Sequence, residues 1–372
     1  MKLALARKVL IASVVGTAAG LFMAPLAYGS HMVGHGAPAA ADKLFAADFI
    51  VPKDQELGFD LGGFGGITKG QGLAFNPVIF VHGNAYDANF WDSAVEDGVT
   101  TINVRKYFRA AGYTDQEIWG ISYNGKGCSD TAACGTANDI NVADLYPFIQ
   151  AVRSYTGSGK VDIVAHSLGV TVVRKTIKNH PDLLGQIEDA VFVAGANHGT
   201  SACRNLAGTW YGCDEVVPGS AWLDDLNTWD PNGERDETPG PIRYMTIYDG
   251  SGASDNFFVG QDAQSPSLTG ADNRQMPGTA HLPLARGKAA LDTYLPFLRD
   301  NNVVQRIDGG KIVDPSTRVD VRGRHAGRIA STGSFDAGAG AVLLIAAALT
   351  GLLARPRRKI GTLIADLAQP SP

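Results

Sequence analysis

The chain has 372 residues, 45% of them hydrophobic and 19% charged, which suits one large domain with appendages or two small domains and excludes a disordered polypeptide. Its net charge is −5; setting aside three basic residues at the N-terminus, and four basic and one acidic residue at the C-terminus, leaves a body of 25 basic and 36 acidic residues, net −11. A body that acidic argues against nucleic acid as a partner.

From the N-terminus, Lys2, Arg7 and Lys8 precede an apolar run over 9–24, and Ala27-Tyr28-Gly29 fits a small-x-small cleavage pattern. Residues 1–29 read as a signal peptide cut before Ser30, with a cut near Ala41 as the second choice. Residues 30–44 read as a flexible leader, so the folded body is expected over 45–300. Leu57 to Gly72 contains Gly62-Gly63-Phe64-Gly65-Gly66 but lacks the strand, helix and Gly-Lys-Ser/Thr ending of a phosphate loop; a packed surface loop is expected.

Pro77 to Val81 is a compact apolar strand running into His82-Gly83-Asn84. Thr101 to Ala111 has helical spacing of its apolar residues, Glu117 to Tyr123 reads as a strand, and Asn141 to Tyr155 reads as a helix with Val142, Leu145, Phe148, Ile149 and Val152 on one face. Strands follow at Val161 to Val164, Ala190 to Ala194 and Ile242 to Tyr248, with helices at Val170 to Asn179 and Ala285 to Asp300. Short apolar strands alternating with helices predict an α/β fold with a mostly parallel, doubly wound sheet covered on both faces. Residues 197–241, rich in Gly, Asn, Asp, Trp and Pro, break the rhythm and predict a lid-like insertion above the strand ends.

Residues 301–336 read as a stalk. Residues 337–354 carry no charge and are followed by Arg355, Arg357, Arg358 and Lys359. A C-terminal transmembrane segment is favoured, with 355–372 as a cytoplasmic tail by the positive-inside rule. A packed Ala-rich helix and a removable sorting signal are the alternatives. The expected location is the extracellular face, anchored to the membrane. Export permits disulfides; the short loops favour Cys128–Cys134 and Cys203–Cys213, and the spacing disfavours zinc.

The run Val161 to Gly169 ends in Ala165-His166-Ser167-Leu168-Gly169, and a helix-like stretch follows. This strand–turn–helix is the context of a nucleophile elbow, with Ala165 where Gly is usual. Such a Ser needs a base, a carboxylate to orient the base, and donors for an oxyanion. The expected chain order is Ser, acid, His. For the acid, Asp255 is preferred to Asp249 because a loop position beyond the strand reaches sideways more easily; both remain candidates. For the base, His281 is the only His between Asp255 and the final helix. The oxyanion donors are the backbone N–H groups of Leu168 and Asn84. Among the other histidines, His166 is expected to point away from the catalytic face, His82 to support the loop before Asn84, and His198 to line the substrate pocket.

With Pro77-Val-Ile-Phe-Val-His-Gly-Asn84, the Ala-His-Ser-Leu-Gly box, Asp255 and His281 in this order, the chain resembles bacterial α/β-hydrolase lipases over about residues 55–300. In style it is similar to the extracellular poly(3-hydroxybutyrate) depolymerases with an Ala-His-Ser-x-Gly box. The resemblance implies serine esterase chemistry with no cofactor or metal, the triad Ser167, Asp255 and His281, and an ester substrate, lipid or short-chain polyester. A monomer is expected. An acyltransferase or amidase with the same triad, and a surface-anchored domain that only binds, are the competing readings.

Overall fold

The computed structural model describes residues 43–313, apart from 56–57, 67–71, 85, 97, 124–137, 207–210, 229–235, 301–305 and 309–310. The predicted signal peptide, transmembrane segment, cytoplasmic tail and Cys128–Cys134 pair lie outside the described residues. Among the described residues, no helix is long and apolar enough to cross a membrane.

One eight-stranded sheet organises the fold. Its strands in chain order are β1 (Lys43–Phe45), β2 (Gly62–Gly65), β3 (Val78–Val81), β4 (Ile118–Ser122), β5 (Val161–His166), β6 (Ile187–Val193), β7 (Arg243–Tyr248) and β8 (Asp272–Gln275). Their order across the sheet is β1-β2-β4-β3-β5-β6-β7-β8. β3 to β8 run parallel, while β2 pairs antiparallel with β4 and parallel with β1. This is the mostly parallel α/β sheet that the alternation predicts.

The principal helices are α1 (Asn89–Asp92), α2 (Val104–Ala110), α3 (Asn138–Thr156), α4 (Leu168–Asn179), α5 (Tyr211–Glu215), α6 (Ala221–Leu226), α7 (His281–Arg286) and α8 (Lys288–Arg299). Strand side chains alternate between faces, so each strand serves two apolar layers. Val78, Phe80, Val164, Val191, Val193 and Met245 pack with α2 and α8 on one side. Ile79, Val81, Ile163, Ala165, Phe192 and Tyr244 pack with α3 and α4 on the other. A sheet buried on both faces needs apolar residues at consecutive positions, which is why its strands read as continuous apolar runs.

Three expectations are corrected. The glycine-rich segment is not a surface loop: Gly62–Gly65 is the buried strand β2. It lies so close to β4 that a Cβ on Gly63 would sit 2.0 Å from the Gly120 carbonyl oxygen, so the glycines admit a neighbour rather than make a turn. The leader ends sooner than expected, because Lys43–Phe45 pairs with β2. The final helix is two, α7 and α8, joined at Gly287 in extended conformation. Polar β8 (Asp-Asn-Arg-Gln) has no apolar signature, as its side chains are largely exposed, and pairing with β7 alone makes it a strand. Within the predicted stalk, Arg306–Asp308 and Lys311–Val313 form an antiparallel pair.

Candidate active site

Ser167 stands between β5 and α4 with φ 55° and ψ −127°, a backbone region that costs a non-glycine residue energy. Its N–H donates to the Val193 carbonyl of β6 at 2.8 Å, and its carbonyl accepts from Val170 N–H at 3.0 Å, so strand and helix hold the turn from both sides. The turn is pressed against the loop after β3. A Cβ on Gly169 would fall 2.3 Å from the His82 carbonyl oxygen, and one on Gly83 would fall 2.9 Å from Ser167 Cβ. Ala165, in the position usually given to Gly, is a buried residue of β5 with its methyl in the α3–α4 layer.

His281 opens α7, and its Nδ1 donates to both carboxylate oxygens of Asp255 at 2.9 and 3.0 Å. Asp255 is fully buried and also accepts the Phe257 N–H at 3.0 Å. With Nδ1 committed to Asp255, Nε2 is the ring nitrogen left to accept a proton. Ser167 and His281 line one cleft, together with Asn84 and Leu168. Leu168 is the first residue of α4, where backbone N–H groups have no partner within the helix.

Asp249 has a different occupation. Its carboxylate accepts the Ser251 hydroxyl, the Ala253 and Ser254 N–H groups, and the Gly278 N–H at 2.7 Å. Burial raises its pKa, but these donors outweigh burial and bring the carboxyl down to about 2. It clasps the loop after β7 to the loop that leads into His281.

The sequence profile of the lipase (class 2) family matches residues 75–238, from the strand before His82 through the elbow and into the insertion. Over that span the chain is similar to lipases of the α/β-hydrolase kind. It is a carboxylic ester hydrolase. Similar solved structures include a Bacillus licheniformis lipase in mature form, 15% identical with a TM-score of 0.49, covering 63% of this chain and 96% of that one. An Aspergillus fumigatus lipase is 16% identical with a TM-score of 0.43, covering 67% of this chain and 56% of that one.

The cleft of the hydrolase, open mouth included, measures about 580 Å³. Its walls are chiefly apolar: Tyr86, Ala196, Val216, Phe257, Phe258 and the Cys203–Cys213 disulfide. No charged side chain is among the residues that line it, if the histidines are neutral. Tyr86 and the Phe257-Phe258 pair went unnoticed in the sequence, although the pair follows Asp255 by two and three residues. Their proximity to the acid was the available signal.

Two histidine expectations are corrected. His198 does not line the cleft. Its Nδ1 bonds the Ser265 carbonyl at 2.9 Å and its Nε2 meets Glu237 at 2.6 Å, which turns the ring into the insertion instead. Burial would raise Glu237, but His198 and the Thr269 N–H hold it down at about 2. His166 does not point away: it lines the cleft, stacks on Phe90 and donates from Nε2 to the His281 carbonyl at 3.2 Å. Because a carbonyl only accepts, the His166 proton sits on Nε2. Burial, and then the nearby His281, push its basicity well below the ordinary range. His82 is buried, stacks on Tyr123 and bonds the Gly83 carbonyl at 2.8 Å, as support for the loop that ends at Asn84. Burial brings it to about 4, so it stays neutral.

Proposed function

We propose that the hydrolase cleaves neutral carboxylic esters through a Ser167–His281–Asp255 triad and an acyl-enzyme. The observation that carries this reading is His281, held by Asp255 through Nδ1, on the same cleft as a Ser in a left-handed turn. His281 Nε2 takes the Ser167 hydroxyl proton as Oγ attacks the ester carbonyl carbon. The tetrahedral oxyanion is held by the Leu168 and Asn84 N–H groups, each contributing roughly 3–4 kcal/mol. His281 then returns the proton to the leaving alkoxide, and the alcohol departs. Water, deprotonated by His281, repeats the sequence on the acyl-Ser167 ester and releases the acid.

Uncharged apolar walls support a neutral aliphatic acyl group. The insertion over 197–241 acts as the cap of the cleft, and short-chain polyesters such as poly(3-hydroxybutyrate) belong among the substrates. Export by residues 1–29 and membrane attachment by 337–354 complete the reading. Labelling by a fluorophosphonate tests the chemistry: the wild type reacts and Ser167→Ala does not. Equal labelling of both, or no labelling of the wild type, refutes the triad. A chain-length series of p-nitrophenyl esters with a polyester film tests the substrate class, and fractionation of cells tests the location.

A further inference from the structure

The Cys203–Cys213 disulfide is not at the periphery of the fold. Both cysteines are buried and both line the cleft that holds Ser167 and His281. They belong to the same apolar cluster as Leu168, Ala196, Val216 and Phe258. Cys203 lies in a short 3₁₀ turn, Ser201–Leu206, and Cys213 in the five-residue α5. Neither turn is long enough to persist without tertiary support. Among the described residues, the two segments are linked by the Thr200 N–H bond to the Val216 carbonyl at 2.9 Å, by the Arg204 guanidinium bond to the Pro218 carbonyl at 3.4 Å, and by the disulfide. Thr200, Cys203, Cys213 and Val216 are thus four positions on one wall, built from two short turns and closed by the bridge. The Thr200 hydroxyl donates to the Phe257 carbonyl, which ties this wall to the loop of Asp255. Ser167 and His281 are carried by β5, α4 and α7, none of which contains either cysteine.

Resting on the reading of this cleft as an esterase site, we propose that the Cys203–Cys213 disulfide is a specificity-determining wall of the acyl pocket. It limits acyl length by its own bulk and by holding Val216 in place, without taking part in the chemistry. Deleting the two sulfurs deepens the pocket beside Ser167 and frees the two turns, so longer acyl chains gain relative to short ones. One methylene in an apolar pocket changes specificity by about tenfold or more, so the shift is measurable.

The test compares kcat/KM for p-nitrophenyl octanoate and acetate in the wild type and in the double variant C203A/C213A, which leaves Cys128 and Cys134 untouched. The octanoate-to-acetate ratio is expected to rise at least about fivefold, while fluorophosphonate still labels Ser167 in the double variant. An unchanged or lower ratio overturns the proposal. So does loss of labelling in the double variant alone, since the bridge would then hold the catalytic groups rather than sort substrates. Absence of labelling in the wild type refutes the esterase site itself, a separate result. If the double variant does not fold, Val216→Phe keeps the bridge and narrows the same wall. Its ratio is expected to fall at least about fivefold, and an unchanged ratio overturns the proposal.

Discussion

Asp255→Asn is the sharpest test of how the hydrolase orients its base. The substitution preserves volume, and the amide oxygen can still accept the Phe257 N–H that Asp255 accepts at 3.0 Å, so the loop is retained. What changes is the group facing His281 Nδ1. A carboxylate can only accept there, so it holds the proton on Nδ1 and leaves Nε2 free to take the Ser167 proton. An amide that turns its NH₂ toward the ring favours the opposite tautomer, with Nε2 protonated and useless as a base. The expected loss in kcat is about 10³–10⁴-fold, or roughly 4–5.5 kcal/mol of transition-state stabilisation, with KM changed by less than about threefold. Steady-state hydrolysis of p-nitrophenyl butyrate alongside thermal unfolding measures both sides. Asp249→Asn is the control: it removes the charge at the centre of the Ser251, Ala253, Ser254 and Gly278 bonds, so it lowers Tm while keeping kcat within about tenfold. Near-wild-type kcat in Asp255→Asn, together with collapse of kcat in Asp249→Asn, would refute the reasoning and move the role to Asp249.

Other substitutions probe the supports. Gly83→Ala places a methyl 2.9 Å from Ser167 Cβ and 3.3 Å from the His166 carbonyl oxygen; kcat should fall roughly 10²-fold from displacement alone, and wild-type kcat would show that the loop yields freely. His166→Leu removes one donor to the His281 carbonyl, at a cost of about 0.5–1.5 kcal/mol by denaturant titration. His166→Gln, whose amide nitrogen reaches the former Nε2 position, should recover more activity than His166→Leu, and equal activity of the two counts against a positioning role for that bond. Glu215 tests pH dependence: burial raises its carboxyl to about 7, above the ordinary 4.5, although Asn138 donates to it twice at 2.6 Å. Because the folded-state value is the higher one, its contribution to stability is complete below about pH 4.5 and is lost as pH rises through about 7. Tm measured at pH 5 and pH 8 should therefore fall more in the wild type than in Glu215→Gln, and equal slopes would refute the assignment.

Elements legible in the sequence are those whose burial repeats along the backbone. Val78 to Val81 and Val161 to Val164 are apolar at every position because both sheet faces are covered, and that pattern is visible without coordinates. β2 and β8 lack it. β2 spends its positions on glycines that let β4 approach, and β8 is polar because it stands at the sheet edge with its side chains largely exposed. The direction of His166 is illegible for a related reason: position next to Ser167 gives no direction, and its partner, the His281 carbonyl, is 115 residues away.

By itself, then, the sequence determined the alternating α/β order, the turn at Ser167 and the succession Ser167, Asp255, His281, because strand periodicity and turn chemistry act between near neighbours. Only the tertiary structure decided that Asp255 rather than Asp249 meets His281, that His198 turns to Glu237, and that a disulfide walls the cleft. Those outcomes depend on which distant segments the sheet brings side by side. Asp249 and Asp255 lie in one loop with similar local chemistry, and the difference between them is the group that the packed chain presents to each carboxylate.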